Sequence, residues 1–587
     1  MHRALLLLLF GCATTAPQPH TSASAPRLQA TGTAGAVATA NRFATQAALE
    51  VLERGGTAAD AAITAALVLG VAEPYSAGLG GGGFAVVHNA ATNEQVALDF
   101  RERAPQAATR TMYLDAQGAP QKRASLDGWL AVATPGTAAG LEALYGLKLQ
   151  GRGTIPWAEL VKPATALAAK GFKVSPLLNQ RIQARRAALA QDPEASRLFL
   201  PAGKALAVGS TLVQSDLAET LDRLAQQGAD DWRHGLTAQR IAAATDAGGG
   251  ALTPADFAQY RVQWRQPVKT AYRGHQVVSF PPPSSGGVHL AQMLRLIERG
   301  EVPSDPYSAD FIHRRIEIMR RAYQDRARHL GDPDFYPVPV EGLLSAAHLD
   351  ALASTITDRA TPSDQLNNPQ PEGAKPAKPA APTESESTTH LSVVDRFGNA
   401  VSMTFTINYG FGAAVIPPGT GVLLNDEMDD FSIAPGTPNA YGLVGGEANA
   451  IEPGKTPLSS MTPTLVLGPD QRLKLVIGSP GGSTIITTVL QILLHVVDRG
   501  MTLAQAIAQP RLHHQWLPDC VLVDRADQLS ALSGALKAKG HCVKARPSIG
   551  NAHGVLVAPD GLLEAAADPR GEGVAGALAP ASDDAKR

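Results

Sequence analysis

Thr388-Thr389-His390-Leu391-Ser392-Val393-Val394-Asp395, the turn Phe397-Gly398-Asn399 and the run Ala400 to Asn408 decide how this chain is read. Both arms are rich in β-branched residues and flank a turn with glycine at its centre, which predicts a β-hairpin. If Asp395 faces Asn399, the antiparallel ladder sets Thr388 opposite Thr406. Directly opposed Cβ atoms lie about 4.5–5.5 Å apart, so the two hydroxyls could hydrogen-bond. A turn one residue longer or shorter would lose the pairing. Just upstream, residues 366–387 carry Asn, Pro, Ala, Lys, Glu and Ser without apolar periodicity, the composition of a flexible linker. A linker that runs straight into a strand fits a cleavage junction. A plain connection between two domains is the other reading.

The junction has a chemical logic. A hydroxyl is a weak nucleophile until a base takes its proton. A threonine that begins a chain carries its own base, an α-amine with a reference pKa of about 7.7–8. Thr388 lacks that amine while it is internal, so its hydroxyl must first attack the carbonyl of Ser387 and break the Ser387–Thr388 bond.

The 587 residues carry 51 Lys plus Arg against 53 Asp plus Glu, a formal charge of −2. No basic excess points to nucleic acid, and the balance favours a small-molecule or peptide ligand. Met1-His2-Arg3, apolar Ala4 to Phe10 and Gly11-Cys12 read as an export signal too short to span a bilayer. Residues 1–11 then form a lipoprotein-type signal peptide with Cys12 as the lipidated first residue, although Phe10 is unusual in such a motif. Cleavage near Ala13 to Ala16 is the alternative. Residues 12–33 read as a tether. Export implies an oxidising compartment. Cys520 and Cys542, each beside a β-type run, are a candidate disulfide pair.

Residues 37–70 show helical spacing, with Phe43, Ala47, Ala48, Val51 and Leu52 on one face, a stop at Gly55-Gly56 and a restart from Asp60 to Leu69. Gly80 to Gly83 lead into Phe84-Ala85-Val86-Val87, a turn with no room for side chains that feeds a strand. The Lys and Ser/Thr of a phosphate cradle do not follow it. Residues 155–330 read as mostly helical, interrupted by Pro281 to Gly287, and no short-period repeat is visible.

The segment Glu384 to Asp395 resembles the processing-site signature of γ-glutamyltransferases, which belong to the N-terminal nucleophile hydrolases. The resemblance runs from about Val37 to about Val557. It includes Gly80 to Phe84, Asp99 to Glu102, Ala133 to Thr137, Pro281 to His289, Leu330 to Phe335, Asn425 to Phe431, Pro457 to Met461 and Gly478 to Ser483. Each motif alone is weak; their shared order and spacing are specific.

The resemblance implies an α+β fold, a four-layer αββα sandwich autoprocessed into two interlocked subunits, 34–387 and 388–587. It implies Thr388 as nucleophile, Thr406 as its hydroxyl partner, and Gly481 and Gly482 as backbone donors to the oxyanion. A γ-glutamyl group presents an α-carboxylate, for which Arg101 offers a planar fork and Ser459 and Ser460 offer hydroxyls. Its α-ammonium suits Asp430 and Glu427, with Asn408 as neutral partner. Pro435 to Gly446, with Tyr441, resemble a lid loop. His390 reads as structural. His513-His514 lack a third ligand, so no metal is expected, and no cofactor is implied. The implied activity is γ-glutamyl transfer and glutathione hydrolysis, with amino acids or dipeptides as acceptors, in a periplasmic or envelope-anchored heterodimer. The rivals are an acylase acting on cephalosporin side chains or poly-γ-glutamate, and an unprocessed lipoprotein that only binds γ-glutamyl peptides.

Overall fold

The hairpin forms in the expected register. Thr389–Asp395 pairs antiparallel with Ala400–Thr406, with Thr389 opposite Phe405 and Ser392 opposite Ser402. The Asp395 N–H donates to the Asn399 carbonyl at 3.0 Å. The same ladder carried one residue outward sets Thr388 against Thr406. In this computed structural model the described residues are 27–121, 123–150, 155–301, 303–375, 387–433, 446–525, 527 and 529–579.

The hairpin lies at the centre of a seven-stranded antiparallel sheet, in the order Val574–Ala577, Gly35–Thr39, Thr389–Asp395, Ala400–Thr406, Gly82–Asn89, Glu94–Asp99, Gln263–Arg265. Side chains alternate across a strand. Leu391, Val393, Met403 and Phe405 therefore point outward into a core shared with the helices Arg42–Glu53 and Ala58–Ala72. Val394 and Ala400 point inward, to a core they share with Val476 and Val555 of a second sheet. That sheet runs Gln29–Gly32, Leu563–Ala567, His553–Val557, Leu473–Gly478, Thr464–Leu467, His275–Ser279, Val268–Tyr272. Its outer face packs on the helices Gly286–Glu298, Ala309–His329 and Thr484–Arg499. Three separate apolar cores between successive layers make the αββα sandwich.

Hydroxyls stitch the inner faces together. Ser392 donates to the His553 carbonyl and Ser402 to the Ile477 carbonyl, each at 3.0 Å. By the same alternation Thr388 and Thr406 fall on the inner face, at the rim of the gap between the sheets. The glycine run beside them is steric in origin. A Cβ on Gly81 would sit 1.9 Å from the Thr406 carbonyl oxygen, and one on Gly83 would sit 2.5 Å from that of Thr404.

Several expectations change. Residues 37–39 belong to a strand, and the two helices span Arg42–Glu53 and Ala58–Ala72, the second opened by a Thr57/Asp60 capping box. The stretch 155–330 holds three strands of the sandwich, Gln263–Arg265, Val268–Tyr272 and His275–Ser279, too short to show a clear alternation. Within the segment read as tether, Gln29–Gly32 forms an edge strand on Leu563–Ala567, a backbone pairing that composition does not reveal. The linker is docked at its start: Leu366 and Asn368 are buried, and the Asn368 amide donates to the Arg321 carbonyl at 2.8 Å. Residues 1–26, with Cys12, linker residues 376–386 and lid residues 435–445, with Tyr441, lie outside the described residues.

Candidate active site

Thr388 and Thr406 are both buried, and the Thr388 hydroxyl donates to that of Thr406 at 3.3 Å. Thr406 does more than meet its partner. Its hydroxyl donates to the Ser387 carbonyl at 2.8 Å and accepts the Asn408 N–H at 2.8 Å. One hydroxyl thus touches both the attacking oxygen and the carbonyl oxygen of the bond ahead of it. Asn408 holds this corner with φ of 71°, a left-handed conformation that asparagine tolerates. Its amide also donates to the Asp426 carbonyl at 3.0 Å.

Arg101, Thr388, Thr406, Asn408, Glu427, Asp430, Ser459 and Gly482 line one small cavity, together with Met461 and Ile485. Eight of the residues that the sequence singled out therefore meet at one place, from segments up to several hundred residues apart. Arg101 is fully buried, with Nη1 2.6 Å from Glu427 Oε1 and Nη2 2.5 Å from Asp430 Oδ2. Its Nε donates to the Pro457 carbonyl at 3.3 Å, and Glu102 lies 3.8 Å away. Burial works against the Arg101 charge, but Glu427, Asp430 and Glu102 outweigh it, and its pKa rises.

The acids have the opposite problem. Burial raises Glu427 well above the usual range against the pull of Arg101, with Glu102, Asp430 and Asp426 adding repulsion. Burial raises Asp430 as well and carries Glu102 up to about 7. One guanidinium faces more carboxyls than it can neutralise. Asp430 Oδ1 and Glu427 Oε2 are buried with no N–H or hydroxyl donor among the described residues. A zwitterion resolves this arrangement: its carboxylate takes nitrogens of Arg101, and its ammonium takes the oxygens thereby released. The Ser459 hydroxyl accepts the Met461 N–H at 3.1 Å, which leaves its own proton to donate to the same carboxylate.

Gly481 and Gly482 precede the helix Thr484–Arg499, with φ of 132° and 57°. A Cβ on Gly481 would meet Thr484 Oγ1 at 2.5 Å. Neither N–H donates to a backbone carbonyl among the described residues. Two such amides at a helix N-terminus favour an anion. Ser460 is buried beside the cavity but is not among its lining residues. His390 is held at both ring nitrogens, by Thr404 Oγ1 at 2.8 Å and Ser392 Oγ at 3.0 Å, and burial lowers its pKa. His513 is held by Thr487 Oγ1 and Gln515 Oε1, each at 2.9 Å. Cys520 and Cys542 are joined in a disulfide.

Sequence reasoning missed three features here. Met461 and Ile485 supply apolar lining, a role that single-residue chemistry does not signal. Glu102, next to Arg101, adds to the acid excess. Arg326 donates to Ser285 Oγ at 2.8 Å, and Ser285 donates to the Ser459 carbonyl at 2.9 Å, so a second buried arginine braces the serine loop. The Pro281 to His289 motif contained the only hint of it.

Comparison with known proteins agrees with this geometry. The family model described as Gamma-glutamyltranspeptidase matches residues 44–578. Glutathione hydrolase proenzyme of Escherichia coli (strain K12) is 43% identical over 539 residues, which cover 91% of this chain and 90% of the relative. The crystal structure of cephalosporin acylase from Bacillus halodurans superposes with a TM-score of 0.81 at 26% identity, over 97% of this chain and 99% of the other. Gamma-glutamyltranspeptidase of Helicobacter pylori superposes with a TM-score of 0.53 at 38% identity, over 55% of this chain and 93% of the solved one.

Proposed function

This chain belongs to the gamma-glutamyltranspeptidase family, and we propose that it is a γ-glutamyltransferase and glutathione hydrolase that first cuts itself between Ser387 and Thr388. The observation that carries the reading is the shared contact at Thr406, which touches the Thr388 hydroxyl and the Ser387 carbonyl together. In the intact chain the Thr388 oxygen attacks the Ser387 carbonyl carbon, and the Ser387–Thr388 C–N bond breaks. An ester now links Ser387 to the Thr388 side chain, and the Thr388 amine is free. Water hydrolyses the ester. The products are a chain ending in the Ser387 carboxylate and a chain beginning at Thr388.

In the processed enzyme the Thr388 amine takes the proton of the Thr388 hydroxyl, whose oxygen attacks the γ-carbonyl of a γ-glutamyl amide. The Gly481 and Gly482 amides hold the oxyanion. As the C–N bond breaks, the proton passes to the leaving amine. A γ-glutamyl ester on Thr388 remains, and water or the amine of an amino acid or dipeptide resolves it. Arg101, Ser459 and Ser460 hold the α-carboxylate, and Asp430, Glu427 and Asn408 hold the α-ammonium. No cofactor enters these steps.

We also place the protein in the periplasm or cell envelope, attached through a lipidated Cys12. Mass spectrometry of the mature large subunit tests this, since a diacylglyceryl Cys12 supports it and a start at residues 13–17 refutes it. For the central reading, N-terminal sequencing of the small fragment should give Thr-Thr-His. Thr388→Ala should remain one inactive chain, and normal cleavage of that variant would reject the nucleophile. Turnover of γ-glutamyl-p-nitroanilide well above that of a glutaryl-cephalosporin separates this reading from the acylase rival. A single uncleaved band without turnover would mark the binding rival.

A further inference from the structure

The Cys520–Cys542 disulfide has no part in the steps above. Its cysteines stand immediately ahead of the strands Val521–Val523 and Val543–Ala545, which pair in parallel with Leu522 opposite Lys544. The Val521 N–H donates to the Cys542 carbonyl at 2.8 Å, so the pairing reaches the cysteines themselves. Side-chain alternation puts Cys520 with Leu522, and Cys542 with Lys544, on one face of this small sheet. Cys520, Leu522 and Lys544 line a cavity of about 980 Å³ whose wall also carries Ser387, Gly481 and Ser483. The disulfide therefore looks into a space that borders the nucleophile and the oxyanion loop. Cys542 is exposed and Cys520 half-buried.

Both ends of the bond have other anchors. Asp519 accepts the Ser363 N–H at 3.1 Å and lies 3.2 Å from Arg320, and His541 meets the His313 ring at 2.8 Å. Between the cysteines Val521, Val523, Leu529, Leu532 and Leu536 are buried in the outer core. Opening the bond thus leaves the segment in place, and exchange needs no unfolding. The sheet is also fastened to the oxyanion loop. His513 lies opposite Leu522 and bonds Gln515 Oε1 at 2.9 Å, and the same oxygen accepts the Ser483 hydroxyl at 2.6 Å. Access and a nearby cation decide which disulfides exchange. Here the sulfurs are open to solvent and the exposed Lys544 stands beside Cys542.

We propose that this disulfide is a thiol-exchange site, at which a small anionic thiol of the glutathione class becomes joined to Cys520, fills the cavity and slows turnover. The proposal rests on the functional reading above for the source of the thiol, since glutathione is both donor and thiol. The incoming thiolate attacks the Cys520 sulfur from the cavity. The Cys520–Cys542 bond breaks as the new S–S bond forms, and Cys542 leaves as a thiolate beside Lys544. Cys542 then takes up a proton equal to the one the incoming thiol gave to solvent, so the exchange involves no net oxidation. Attack by Cys542 on the adduct restores the original bond and expels the thiol, so the closure follows thiol concentration. Ligand cavities hold about 300–1,000 Å³, and this one accommodates a tripeptide.

Mercaptoethanesulfonate, an anionic thiol that is neither donor nor acceptor, serves as the probe. Processed wild type is held at millimolar thiol, quenched in acid and alkylated, and the small subunit is mapped by mass spectrometry. The expected result is the adduct on Cys520 with an alkylated Cys542, formed about threefold more slowly in Lys544→Gln. Absence of any adduct, or an adduct confined to Cys542, overturns the proposal. Cys542→Ser and Cys520→Ser are then each loaded with the symmetrical disulfide of the probe, which passes one half to the free cysteine and releases the other as thiol. Turnover of γ-glutamyl-p-nitroanilide should fall about tenfold on loading Cys542→Ser, return with dithiothreitol, and change less than about twofold in Cys520→Ser. The two variants lack the same bond, so simple destabilisation would appear in both before loading. Equal losses on loading, or none, overturn the proposal. A wild type that releases no p-nitroaniline before any thiol is added counts instead against the functional reading, while the mapped adduct still decides the exchange.

Discussion

Thr406→Val is the most informative single change, because valine keeps the shape and removes only the hydroxyl. Three contacts disappear: the donation to the Ser387 carbonyl at 2.8 Å, the acceptance from Asn408 N–H at 2.8 Å and the Thr388 contact at 3.3 Å. The first matters for rate, since negative charge develops on the Ser387 oxygen as Thr388 attacks. Removing one such donor costs about 2.7–4 kcal/mol, or a 10²- to 10³-fold slowing. The second matters for stability, since a buried N–H left unsatisfied costs about 1–3 kcal/mol. Freshly expressed precursor, followed over time on a denaturing gel, should show the two fragments appearing at least about a hundredfold more slowly than in wild type. Thr406→Ser should process within a few-fold of wild type. A folded Thr406→Val protein that processes at the wild-type rate would refute the idea that this hydroxyl polarises the scissile carbonyl.

Arg101→Lys keeps the charge but loses the fork that reaches Glu427 and Asp430 together. Losing one charge-assisted bond to the donor carboxylate, about 2 kcal/mol, should raise the donor KM roughly thirtyfold, while gel analysis shows intact processing. Glu73 is buried, receives the Thr389 hydroxyl at 3.1 Å, and is raised by burial from 4.5 to about 7. The native state then holds a proton between those values that the unfolded chain has released, so stability is complete below about 4.5 and is lost as pH climbs through about 7. Glu73→Gln should therefore gain up to about 3 kcal/mol relative to wild type at pH 8 over pH 5, read from paired denaturation curves. An equal difference at both pH values would refute it. Cys520→Ser opens a loop of 22 residues and should cost about 3 kcal/mol in the same assay, an effect that reductant should reproduce in wild type and not in the variant.

The hairpin was legible because its pattern is local: a glycine turn fixes the register, and the register alone places Thr388 on Thr406. Arg101, Asp430 and Ser459 were legible only through a resemblance, since no spacing rule connects residues drawn from three distant segments. The strands at 263–279 were hidden because strands of three to five residues carry too few side chains to reveal a period. Gln29–Gly32 was hidden because backbone pairing, rather than side-chain pattern, recruits it. The mutual ion pairing of Arg101 with Glu427 and Asp430 was missed for a different reason. Each residue was assigned to a ligand charge, and nothing in a linear sequence shows that the groups satisfy one another when no ligand is there.

That mutual pairing ties binding to folding. Cleavage after Ser387 cannot release the new N-terminal strand, because Thr389–Asp395 is held by Gly35–Thr39 on one side and Ala400–Thr406 on the other. Ala400–Thr406 is in turn paired with Gly82–Asn89 from the other subunit, and Arg101 stands two residues beyond the next strand, Glu94–Asp99. The nucleophile and the guanidinium thus ride on a single sheet, and the acids Glu427 and Asp430 reach both through Asn425, whose amide donates to the Gly80 and Ala133 carbonyls at 2.7 and 2.9 Å. Breaking one peptide bond changes the charge at Thr388 while leaving this frame unbroken. The geometry that processes the chain is therefore the geometry that then receives the donor, which is why one hydroxyl partner, Thr406, can serve both reactions.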